Sequence, residues 1–140
     1  MKLKITTNYS FSKLSSKIDS LINDSLKEYS SKTAKGSKTK IDRGLRALRP
    51  VTVKIRSQRN QPTKPALKAS GALYNSIKQS GTDLEMLEYG VRHHEGFTTG
   101  EKSIIPNVEI KARPFITVLQ KDKKEIVRKF RDSLNKSLKK

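Results

Sequence analysis

Two stripes of apolar residues, one near each end of the chain, restrict what it can become. Phe11, Leu14, Ile18, Leu21, Ile22, Leu26 and Tyr29 recur in steps of three and four with polar residues between them. That is the period of one helix face, and it predicts an amphipathic helix with Ser10 or Ser12 as its N-cap. From about Asp122 to the end, Ile126, Val127, Phe130, Leu134 and Leu138 form a narrower stripe, with lysines and arginines over the remainder. A striped helix has to bury its apolar face against another layer, so the middle of the chain must supply one.

The middle opens on SSKTAKGSKTK, polar, basic and interrupted by Gly36, which predicts a mobile basic connection over 30–44. After Pro50, Val51, Val53 and Ile55 alternate with Thr52 and Lys54, the two-residue period of a half-buried strand, and 56–64 reads as a polar loop, with a hairpin arm over 51–64 as the alternative. PALKASGALYNSI fits both periods and is read as a short helix running into a strand. Ser80-Gly81-Thr82 turns the chain, and LEMLEYGV continues as an antiparallel strand. VEIKA at 108–112 places Val108, Ile110 and Ala112 on one side of another strand. The expectation is one α+β domain over 1–140. A small antiparallel sheet of three or four strands carries the N-terminal and C-terminal helices on one face.

Composition then limits the core and the partners. Hydrophobic residues make up 33% of the 140, against roughly 45–50% apolar, glycine included, in average globular chains. So thin an interior points to a fold completed against neighbouring subunits. Lys and Arg number 31 against 13 Asp and Glu, a formal charge of +18, which attracts nucleic acid first and acidic protein surfaces second. There are no cysteines, which excludes thiolate nucleophiles, cysteine zinc sites and disulfides. No run approaches the roughly 18 apolar residues of a membrane span. MKLKITTNYSF lacks the apolar stretch of a secretory signal, so the chain is expected to stay where it is made.

Both histidines stand together in GVRHHEGFTTGEK, residues 90–102. A hydrolytic metal site needs three or more converging ligands, and adjacent side chains diverge on a strand and on a helix alike. Asp83, Glu88, Glu95 and Glu101 show no fixed ligand spacing, and no P-loop, GxGxxG or GxSxG is present. Neither a metal, a cofactor nor catalysis is expected of His93 or His94. Gly71, Gly90 and Gly96 permit backbone turns, and Arg113-Pro114-Phe115 makes a strand-to-helix corner with Phe115 packed inward. His93, His94 and Glu95 are expected to hydrogen-bond across that corner or onto a neighbour. For Arg113, a surface salt bridge and an intersubunit contact are equal expectations.

Four features stand in order: the N-terminal helix; Leu67 to Leu73 (LKASGAL) followed by Ser76-Ile77; Tyr89 to Gly96 (YGVRHHEG); and Lys111 to Ile116 (KARPFI) opening the last helix. This series resembles the tailed-bacteriophage virion-morphogenesis proteins, the tail-completion or neck proteins at the head–tail junction. It covers about residues 65–135, with Gly90 standing where that family tends to have alanine. The resemblance implies a non-enzymatic virion component assembled in the host cytoplasm, forming a homo-oligomeric ring around the DNA channel against connector, neck or tail proteins. Gly71, Leu73, Tyr89, His93, His94, Glu95, Gly96, Arg113, Pro114 and Phe115 would then be structural or interface residues, with electrostatic contact to DNA and none to a membrane. The alternative is a basic nucleic-acid-binding protein without sequence preference.

Overall fold

The computed structural model describes residues 11–139, leaving the predicted cap Ser10 and the rest of 1–10 outside the described residues. Five helices are joined with two antiparallel ribbons: α1 (Phe11–Arg43), α2 (Pro50–Gln58), α3 (Ala72–Ser76), β1 (Lys78–Ser80), β2 (Asp83–Glu85), α4 (Glu88–Glu95), β3 (Phe97–Thr98), β4 (Glu109–Ile110) and α5 (Gln120–Leu138). The architecture is α+β, with the long terminal helices packed on one another. Its four strands divide into two separate two-stranded ribbons, β1–β2 and β3–β4.

Helix α1 runs 33 residues without a break, through the stretch expected as a mobile connection over 30–44. That expectation is corrected, and the reason is chemical. Ser30, Thr33, Ala34, Ser37 and Ile41 recur at helical spacing and are all buried. The face is small rather than oily, so another backbone can lie directly on it. Gly36 shows how close: a Cβ there would stand 2.5 Å from the Thr117 carbonyl oxygen. Hydroxyls on the same face serve the chain packed over them, with Ser30 donating to the Asp83 carbonyl and Ser37 Oγ accepting the Thr117 N–H at 3.2 Å.

Residues 51–55, expected as a strand, lie in α2, and the polar loop expected at 56–64 begins only after Gln58. Pro50 occupies the first turn, where its missing N–H costs nothing, and Thr52, Val53, Ile55 and Arg56 form the half-buried helical face. LEMLEYGV likewise divides: Leu84 and Glu85 lie in β2, but the chain turns helical at Glu88. The helix and following strand expected within 65–77 are displaced: no helix opens at Pro65, α3 begins only at Ala72 and takes in Leu73 and Asn75, and the strand begins at Lys78, with Gly81, at φ +59°, making the turn into β2. Register pairs Lys78 with Glu85, Gln79 with Leu84 and Ser80 with Asp83. In β4 only Glu109 and Ile110 pair, facing Thr98 and Phe97.

The core is small. Ile41, Leu73, Ile77 and Phe115 are fully buried, with Ala34 and Leu67 beside them. Farther out, α5 packs on α1 with Ile126 buried, and ion pairs join the two helices. Lys32 reaches Asp122 at 3.2 Å and Glu125 at 3.5 Å, and Lys129 reaches Glu28 at 2.7 Å. Asp122 is buried in the first turn of α5, where a carboxylate also suits the positive end of the helix dipole.

Candidate functional site

Three of the singled-out segments, far apart in sequence, meet where the chain crosses the C-terminal third of α1. Residues 112–119 have no strand partner, so their backbone donors need other acceptors. Arg113 N–H donates to the His93 carbonyl at 2.8 Å. Phe115 and Ile116 N–H both point at His94 Nδ1, at 3.1 and 3.2 Å. Two donors on one ring nitrogen require its lone pair, so the ring proton belongs on Nε2. His94 therefore acts as a clasp on backbone, and its ring also meets Phe115 edge-on at 5.5 Å.

Helix α4 can reach that segment because both of its ends are tightly fitted. Gly90 packs against Leu73, and a Cβ there would fall 2.6 Å from Leu73 Cδ1 and 3.0 Å from Met86 Sδ, which leaves alanine no room without repacking. Gly96 ends the helix at φ +88°, with the Ala112 nitrogen 2.8 Å from where a Cβ would be. Ser76 links α3 to the start of α4, its hydroxyl donating to the Leu73 carbonyl at 2.8 Å and accepting the Leu87 N–H at 3.1 Å. Gly71, at φ +77°, precedes α3. The end of α1 is tied to the same region by Asp42, which accepts from Lys68 and from the Tyr74 hydroxyl, both at 2.7 Å. Lys68 first and Tyr74 second hold the Asp42 carboxyl below its ordinary range.

The other singled-out residues have separate surroundings. His93 is half-buried between Tyr89 and Phe97, edge-on to each, and its Nδ1 is buried without a hydrogen-bond partner. Burial, then Arg113 and Arg56, push its imidazole below the ordinary value. Glu95 and Pro114 are exposed, and Tyr89 is largely so. Arg113 departs from the expected surface salt bridge: it is only 9% exposed, and its Nε donates to the Arg46 carbonyl at 3.4 Å. Among the described residues no three His, Cys, Asp or Glu side chains form a group that could hold a metal ion. No helix among them is long and apolar enough to cross a membrane.

Beside the corner lies a cavity of about 570 Å3 between the loop ahead of α2, α2 itself and the β3–β4 ribbon. Its walls include Arg46, Arg49 and Arg56, which sequence reasoning passed over as scattered positive charge. Arg43, Arg46 and Arg49 at intervals of three were the available signal, but it becomes meaningful only once Pro50 is read as opening a helix. Comparison of the chain with family models, with curated proteins and with solved structures finds no match.

Proposed function

We propose that this chain is a non-enzymatic structural subunit that completes the neck or tail of a tailed phage, assembling in several copies as a ring around the DNA channel. The observation that carries the reading is an imbalance of apolar surface. Among the described residues eight hydrophobic side chains are buried, two of them alanines, while ten large ones are at least 40% exposed. Exposed apolar residues scattered singly are ordinary. Here Ile22, Leu26 and Tyr29 follow one another at helical spacing along α1, so they form a stripe. Covering such a stripe with another copy, by the hydrophobic effect, is what a subunit with a small interior gains from assembly. The ordered motifs add support, because Leu73, Gly90, His94 and Phe115 serve packing and backbone hydrogen bonds and present no reacting group.

The test is the mass of the native assembly across a hundredfold range of concentration. A closed oligomer of fixed size is expected; a folded monomer throughout that range overturns the reading. The charge of +18 favours a second reading, a protein that coats nucleic acid without reading bases. In that case a monomer would bind random duplex DNA tightly, with affinity falling steeply as salt rises.

A further inference from the structure

The cavity beside α2 is electrostatically incomplete. Arg46, Arg49, Arg56, Lys111 and Arg113 line it, and among the described residues no Asp or Glu does. Elsewhere Lys32, Lys68 and Lys129 each have a carboxylate within 3.2 Å. The cavity guanidiniums instead rest on backbone carbonyls, Arg49 on Glu109 at 2.9 Å, Arg56 on Pro62 at 3.1 Å and Arg113 on Arg46 at 3.4 Å. A carbonyl supplies a hydrogen bond but no countercharge. Burial, then repulsion from Arg46, Arg56 and Arg49, lowers the Arg113 pKa, so the cluster has a cost that an oxyanion would relieve. Guanidiniums suit carboxylate and phosphate because their planar fork donates two parallel hydrogen bonds.

The rest of the lining narrows the ligand. Leu48, Leu67, Phe97 and Ile110 give it an apolar part beside the arginines. Among the described residues no Asn, Gln, Asp or Glu side chain lines it to read the edges of a base. Tyr89 and Phe97 each meet His93 edge-on, so neither pair is stacked. Residues 1–10 carry two lysines and no acid.

We propose that this cavity is the docking site for an acidic segment of a different protein, its carboxylates held by Arg46, Arg49, Arg56 and Arg113 and an adjacent apolar side chain seated on Leu48, Phe97 and Ile110. The inference is independent of the assembly reading, since a monomer would bind the segment equally well.

The test measures anisotropy of a fluorescein-labelled peptide alternating Glu with Leu and Phe, titrated with the full chain near physiological salt. Saturable one-to-one binding is expected. Arg46→Gln and Arg56→Gln should each weaken it by about tenfold, the size of one charge-assisted hydrogen bond. Arg46→Gln should fold normally, since Arg46 is exposed with no side-chain hydrogen bond among the described residues; Arg56→Gln also gives up a bond to the Pro62 carbonyl, so its fold is checked by circular dichroism before its binding is compared. Lys123→Gln, in a different cleft on α5, should leave binding unchanged. Replacing the peptide's Glu with Gln, or its Leu and Phe with Ala, should also cost about tenfold or more. The proposal is overturned if the arginine variants bind like the parent chain. It is equally overturned if oligothymidylate, inorganic pyrophosphate or a peptide copying residues 83–88 of this chain matches the acidic probe through the same arginines.

Discussion

The two ends of α1 do opposite things with the same kind of helix. Toward its C-terminus, Ala34, Gly36, Ser37 and Ile41 receive the segment 115–118 almost backbone to backbone, and the fully buried Phe115 completes the joint. Toward its N-terminus, ion pairs among Glu28, Lys32, Asp122, Glu125 and Lys129 join α1 to α5, while Ile22, Leu26 and Tyr29 are 40%, 45% and 42% exposed. Small residues buy proximity at one end; at the other, large apolar residues remain outside the chain's own interior. Stability should therefore be concentrated at the joint, and the outer half should be adapted to contacts beyond the chain.

The largest effect tests that concentration. Phe115→Ala removes a fully buried ring and the edge-on partner of His94, and should cost about 3–5 kcal/mol in a denaturant titration. Leu26→Ala, at a residue 45% exposed, should cost less than about 1 kcal/mol in the same titration. Comparable losses from the two would erase the distinction between the ends of α1.

How much of this was legible depends on which residues did the packing. Apolar stripes at helical spacing read correctly as the outer part of α1 and as α5, and Phe115 is turned inward as expected. Gly81 and its neighbours read as a turn because φ +59° is ordinary only for glycine and a few polar residues. Where burial is made by Ser, Thr, Ala and Gly the pattern misled, since SSKTAKGSKTK has the composition of a linker and the spacing of a helix face. VTVKI failed differently. Its β-branched alternation is a strand signal, yet Pro50 is equally suited to a helix start, and no partner strand lies beside it. The histidines were separable from metal chemistry by ligand counting, but the lone pair of His94 on two backbone donors is a tertiary fact that no spacing encodes.

Gly36→Ala sharpens the comparison because two effects compete with opposite signs. In an ordinary helix interior, alanine gains about 0.8–1.0 kcal/mol over glycine. At this position the new Cβ would stand 2.5 Å from a backbone oxygen, which no rotamer change can relieve. Such overpacking costs roughly 1–3 kcal/mol. The clash should win, giving a modest net loss of stability and looser protection of the Thr117 amide in hydrogen exchange. A gain close to the full propensity value would mean that the chain does not lie so near to α1.

The smallest effect on the isolated chain is the one most informative about assembly. Ile22→Gln with Leu26→Gln replaces two side chains that are 40% and 45% exposed, one helical turn apart, without changing net charge. Each should alter the stability of a monomer by no more than about 0.5 kcal/mol, as surface substitutions do. If the stripe is where copies meet, the same pair should lower the native mass or raise the concentration needed to reach it. Glutamine preserves length and helix propensity, so loss of association would not reflect a melted helix. A loss of more than about 2 kcal/mol in a chain held monomeric by dilution would place these residues inside the subunit's own packing. The outer half of α1 would then resemble the joint, and the apolar imbalance behind the ring would lose its strongest part.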